Sequence, residues 1–183
     1  MHMVDIVPLL HRRIAQTCIG ASSMRNQGAP GVVEAARNYL EHEVELSDFV
    51  NAMPDEKVYR RFLDKHTRRL VARFPKGGQS WGAARKGLNL FFRDVCYNTM
   101  LAHELGLPRS AKALDRAMRW MEVPLDKDVA MALRRECVEL LPWPSIRKLD
   151  AATSAVYQAS ANEVAADHGV SRIQLDLIFW RTA

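Results

Sequence analysis

The chain has 183 residues, 48% of them hydrophobic, which is enough to bury a core without disulfide or metal staples, and its net charge is +5. Three widely separated cysteines, Cys18, Cys96 and Cys137, with no CxxC pair, exclude a disulfide framework, a zinc knuckle and an iron–sulfur cluster, and fit a reducing cytoplasm. No apolar run reaches membrane-spanning length, and the opening MHMVDIVPLLHRR lacks the leading cations and cleavage site of a signal peptide, so a cytoplasmic protein with no membrane partner is expected.

Apolar residues recur at helical spacing, without sustained alternation and without an Asn-Gly or Asp-Gly hairpin between β-branched runs, so an all-α fold is predicted. A first helix is predicted from Val4 to Ile19, ended by GASSMRNQGAPG, and a second from Val32 to Val44. A short third, Leu46 to Met53, precedes Pro54-Asp55-Glu56, whose acids suit the positive end of a helix running to Phe74. Within that helix Val58, Phe62, Leu70 and Phe74 fall at multiples of four and predict one buried stripe, leaving Arg61, Lys65, Arg68 and Arg69 outside it. From Lys57 to Lys76 the only acid is Asp64, and such a density of cations reads either as a phosphate contact or as a solvated face.

Pro75-Lys76-Gly77-Gly78 turns the chain into the longest predicted helix, Ser80 to Leu105, which Gly106 and Pro108 close. Ser110 caps the next, whose Leu114, Ala117, Met118 and Met121 share a face. Pro124-Leu125-Asp126 opens a helix to Leu140, stopped by Pro142-Trp143-Pro144. Two final helices, Ser145 to Asp167 and Ser171 to Trp180, are separated by His168-Gly169. With no repeat, low-complexity tract or long linker, residues 1–183 are predicted to form a single helical domain.

The stretch SWGAARKGLNLFFRD places Lys86 near the start of an otherwise apolar helix, between Gly82 and Gly87. A poorly hydrated ammonium there is a candidate nucleophile; the alternative is a lysine whose stem lies past Trp81 with its head in water. Asp126, directly before a helix, is either a working carboxylate or an N-cap. Asn89 and Arg93 follow Lys86 at helical spacing, either lining a polar cleft or making buried structural hydrogen bonds. Of the large aromatic residues, Trp81 is the candidate for a ring facing a pocket or DNA, and Phe91, Trp120, Trp143 and Trp180 are mostly assigned to the core. His42 with Glu41 and Glu43, and His103-Glu104, lack HExxH spacing, so no metal is expected.

Two helices joined by a tight Gly-rich turn form a helix-hairpin-helix, whose outward N–H groups hold a DNA phosphate without reading sequence. Gly82-Ala83-Ala84-Arg85-Lys86 resembles the hairpin of the helix-hairpin-helix DNA glycosylases, where Gly-x-Gly-x-Lys carries the catalytic lysine; Ala84 stands at the second glycine. Pro124-Leu125-Asp126-Lys127-Asp128-Val129 resembles that family's Pro-x-Asp-x-His-Val segment, with Asp128 at the histidine, and Arg172 to Trp180 looks like the closing helix of the archaeal 8-oxoguanine glycosylase branch. The resemblance runs from Tyr59 to Trp180, and the helix around Ser110 to Met121 enlarges the separation of Lys86 and Asp126 to 40 residues.

The resemblance implies a compact two-lobed helical bundle with a helix-hairpin-helix core at about 57–140, the terminal helices completing the second lobe. Lys86 and Asp126 would be catalytic, and Arg61, Lys65, Arg68, Arg69, Lys76, Gly77, Gly78, Gly82 and Arg85 would meet DNA. Trp81, Asn89 and Arg93 would surround the base. A cofactor-free monomer acting on double-stranded DNA with a flipped modified base is expected, in repair or in defence against phage DNA. A non-enzymatic module gripping phosphates through the hairpin and basic helix fits the same residues, as does a protein-interaction domain with solvent-facing cations.

Overall fold

Polar side chains placed just ahead of apolar runs decide where the helices begin. In the computed structural model, which describes residues 5–24, 27–137 and 139–180, the elements are α1 (Ile6–Thr17), α2 (Val32–His42), α3 (Leu46–Ala52), α4 (Glu56–Arg73), α5 (Trp81–Tyr97), α6 (Thr99–Glu104), α7 (Ala111–Ala117), α8 (Lys127–Glu136), α9 (Ala151–Asp167) and α10 (Leu175–Ile178). Single 3-10 turns occupy Ile146–Lys148 and Arg172–Gln174, and no strand occurs among the described residues. The expected start of the first helix at Val4 lies outside the described residues, as do Arg25 and Asn26 of the segment that follows it. Asp55, Ser80, Asn98, Ser110, Asp126 and Asp150 each accept a hydrogen bond from a backbone N–H in the first turn of the helix they precede. No described helix is long and apolar enough to cross a membrane.

Several boundaries differ from the sequence expectation for local reasons. The predicted Ser80–Leu105 helix breaks at Asn98, whose extended backbone (ψ 100°) ends α5 while its side chain caps α6 through Leu101 N. Residue Gly106 then closes α6 at φ +72°, with Leu107 N bonded back to Ala102 O at 2.8 Å. The helix expected to reach Leu140 stops at Glu136. Ser145 opens only the 3-10 turn, and Asp150 starts α9. The closing segment is likewise split into a 3-10 turn and the short α10.

On α4 the buried stripe is Tyr59, Phe62, Leu63, His66, Thr67 and Leu70; Val58, expected inside, is 38% exposed. Counting in fours drifts off a 3.6-residue helix, so the face that α5 covers is reached one residue later. Phe49 of α3 stacks on Phe92 of α5 with ring centroids 4.4 Å apart, and Phe62 of α4 lies 5.4 Å from Phe92. Each such fully buried ring contributes on the order of 1.5–3 kcal/mol relative to exposure, so this aromatic contact ties three helices together.

The buried apolar residues form two clusters. The first joins α1–α6 with Met118, Met121 and Ile173; the second joins Val123, Leu125, α8, α9, Leu149, Leu175 and Phe179. Helix α5 runs between them, buried at every position from Gly82 to Phe92. Its approach to the second cluster depends on Gly82. A Cβ there would stand 2.3 Å from the Ile146 carbonyl oxygen and 2.7 Å from Leu149 Cβ. The nearer obstacle is backbone and cannot swing away. Gly82→Ala is therefore expected to lower stability by about 1–3 kcal/mol, measured by urea denaturation; an unchanged midpoint would show that the Ile146 turn yields freely.

Candidate functional site

Helix α5 carries two consecutive cations that leave it in different directions, because adjacent helical residues are about 100° apart. Arg85 is 5% exposed and Lys86 is 6% exposed. Arg85 makes a two-pronged contact with Glu122, Nε to Oε2 and Nη2 to Oε1, each 2.7 Å. It also donates to Asp64 Oδ1 at 2.8 Å and to Thr67 Oγ1 at 3.1 Å. Burial pushes the Glu122 carboxyl up, but the charge and hydrogen bonds of Arg85, with the charge of Arg172, outweigh it and hold Glu122 below its ordinary value.

Glu122 belongs to an extended segment, Glu122–Asp126, that several side chains clamp. The Gln158 amide brackets Val123, accepting from its N–H at 3.1 Å and donating to its carbonyl at 2.8 Å. Arg172 donates to Met121 O and Trp120 O, both at 2.9 Å. The segment ends at Asp126, which does two jobs at once: Oδ1 accepts from Val129 N at 2.9 Å as the cap of α8, and Oδ2 accepts from Lys86 Nζ at 2.9 Å. Capping fixes the carboxylate plane and aims its second oxygen at the amine. The two readings of Asp126 left open by the sequence are thus compatible.

Lys86 and Asp126 line a cavity of about 550 Å³ together with Ser22, Ser23, Gln27, Lys127, Trp143 and Arg147. Its aromatic wall is Trp143, whose ring packs edge-on against Tyr157 at 5.5 Å. The sequence points to Trp81 as a ring facing a pocket or DNA, and the structure places it elsewhere. Trp81 lies against the Arg85 guanidinium, 5.3 Å from ring centroid to Cζ, and lines a separate cleft with Arg85, Glu122 and Trp120. Trp143 is passed over because it is grouped with the rings assigned to the core; the usable signal is an aromatic residue lying outside any helical period.

Further corrections follow from burial. Arg85, expected on DNA, is consumed by Glu122 and Asp64, so its charge is neutralised. Gly82 is covered by Ile146 and Leu149, and Gly78 is buried in the connection between α4 and α5. Asn89 is buried and donates to Glu122 Oε2 at 3.4 Å, away from the Lys86 cavity's lining. Arg93 pairs with Asp94 and Asp176 and does not line that cavity. Burial raises the Asp176 carboxyl against the pull of Arg93, and the nearby Asp126 charge adds to the rise. Arg61, Lys65, Arg68 and Arg69 are exposed as expected, and Lys76 and Gly77 are exposed too.

Comparison with known protein families, curated proteins and solved structures finds no match for this chain.

Removing the Glu122 charge leaves a buried guanidinium with only the half-exposed Asp64. Glu122→Gln is expected to cost about 3 kcal/mol at neutral pH. A lowered carboxyl contributes stability above the ordinary glutamate range that is lost as pH falls through its depressed value. Wild-type protein should therefore lose part of its stability on acidification and the variant should lose less, read from urea midpoints across an acid series; parallel curves would show that Glu122 does not carry this dependence.

Proposed function

We propose that the protein is a DNA glycosylase with lyase activity, of the helix-hairpin-helix kind, removing a damaged or chemically modified base. The observation that carries this reading is the 2.9 Å contact between Lys86 Nζ and Asp126 Oδ2 at the wall of a solvent-connected cavity, made by residues 40 apart in the chain. A structural ion pair needs no cavity. This one adjoins a space of about 550 Å³ with Trp143 as a flat wall, which suits an extruded nucleotide.

The chemistry follows from the two groups. Cleaving an N-glycosidic bond builds positive charge on the sugar, and the Asp126 carboxylate supplies the opposing charge. The bond from C1′ to the base breaks and its electron pair leaves with the base; Lys86 Nζ then gives a proton to Asp126 as it bonds to C1′, and that proton passes to the base. Ring opening breaks the C1′–O4′ bond, O4′ takes a proton from Nζ, and an imine forms between Lys86 and C1′. Loss of a proton from C2′ then expels the 3′ phosphate by β-elimination. Lys86 is regenerated when water hydrolyses the imine.

The exposed cations of α4, Arg61, Lys65, Arg68 and Arg69, have no ion-pair partner among the described residues, and they favour a polyanionic ligand in either an enzymatic or a purely DNA-binding reading. Borohydride separates the two, because it reduces the imine to a stable amine. Folded wild-type protein should form a trapped complex with at least one duplex from a panel carrying 8-oxoguanine, uracil, alkylated bases, hypermodified cytosine or an abasic site. Lys86→Gln should abolish trapping, and Asp126→Asn should slow excision by about 10²-fold or more. No excision and no trapping across the panel would leave the non-enzymatic module, whose salt-sensitive binding would survive Lys86→Gln.

A further inference from the structure

Two described residues other than glycine have positive φ, Gln27 at 48° and Ser145 at 109°, and both line the Lys86 cavity. Ser145, with ψ 158°, sits in a region open essentially to glycine alone, at a cost of order 1–3 kcal/mol. The surroundings hold it there. Its Oγ accepts from Lys148 N at 3.4 Å, and the Ser80 hydroxyl donates to Ile146 O at 3.2 Å. The result of this enforced bend is that Trp143 and Arg147, on either side of it, line the same cavity as Lys86 and Asp126.

Arg147 is exposed and has no carboxylate within ion-pair distance among the described residues. Its guanidinium lies over Gly28, where a Cβ would stand 2.7 Å from Nη1, and Nη2 donates to Gly77 O at 3.4 Å. Arg147 thereby touches the connection after α1 and the turn between α4 and α5, while most of its donors have no acceptor among the described residues. Lys127, also exposed and without an ion-pair partner among the described residues, lines the same cavity. The acids present are Asp126, engaged by Lys86 and Val129 N, and the exposed Asp128. A rigid guanidinium fork held at the mouth of a cavity matches the oxygens of a phosphate.

We propose that Arg147, with Lys127 as second cation, grips the DNA backbone phosphate beside the nucleotide extruded toward Lys86. The identity of the ligand rests on the glycosylase reading. The test uses a short duplex carrying a tetrahydrofuran abasic-site analogue, which has no base to expel, so binding is measured apart from chemistry by fluorescence anisotropy over a salt series. Arg147→Ala should bind about tenfold more weakly and flatten the slope of log K against log salt by about 0.9. Lys127→Ala should shift both in the same direction, Arg147→Lys should recover the slope but not the full affinity, and Lys112→Ala on α7 should change neither. An unchanged slope in Arg147→Ala overturns the proposal and makes this arginine a staple between Gly77 and the Gly28 connection. Wild-type protein with the expected salt behaviour but no excision or trapping removes the glycosylase reading and leaves the phosphate grip standing. Absence of salt-dependent binding by the wild type overturns both.

Discussion

The arrangement depends on the buried contact between Arg85 and Glu122. It takes one carboxylate out of water, and only the two-pronged geometry, with Asp64 and Thr67 taking further donors, makes that tolerable. The same contact fastens α5 to the segment leading into α8. Because Lys86 is the next residue along, and Asp126 lies four residues beyond Glu122, one interaction sets the register of the other. Gln158 and Arg172 clamp the chain around Val123, and the cap on Val129 N aims Asp126, so that the second pair meets as well.

Around this fixed pair the protein gathers segments from distant parts of the chain. Gly82 lets the Ile146 turn lie directly on α5, and that turn carries Arg147 and, through the bend at Ser145, Trp143. The connection after α1 supplies Ser22, Ser23 and Gln27 from the other side. Among the described residues, positive-φ backbone outside glycine is confined to this rim, whereas α5 and α8 beneath it are capped by Ser80 and Asp126. A rigid base with a strained edge suits a site that must hold one group in place while another enters.

The two sides of α5 carry different kinds of polar structure. On the Trp81 side, Glu122 and Asp64 neutralise Arg85, and Arg172 spends its donors on the carbonyls of Trp120 and Met121. On the Lys86 side, one ion pair faces open space, with Arg147 and Lys127, which have no ion-pair partner among the described residues, at its mouth. Balanced charge serves cohesion, and uncompensated positive charge attracts an anionic ligand.

The sequence by itself determined the helical class, the acidic helix start at Asp55, the caps at Ser110 and Asp126, the glycine stop at Gly106 and the exposed face of α4, because these follow from local hydrogen bonding and from period. It also singled out Lys86 and Asp126 as residues of interest. Whether they meet was decided only by tertiary structure, since 40 intervening residues permit many separations and the answer lies in clamps from Arg85, Gln158 and Arg172. The exchange of Trp81 for Trp143 has the same origin. A ring's neighbours depend on which elements close over it, and the closing element here is a turn seated on Gly82, a contact between residues far apart in the chain. Arg85 and Arg93 were equally illegible, for a cation on a helix looks the same in sequence whether a carboxylate from elsewhere buries it or water surrounds it.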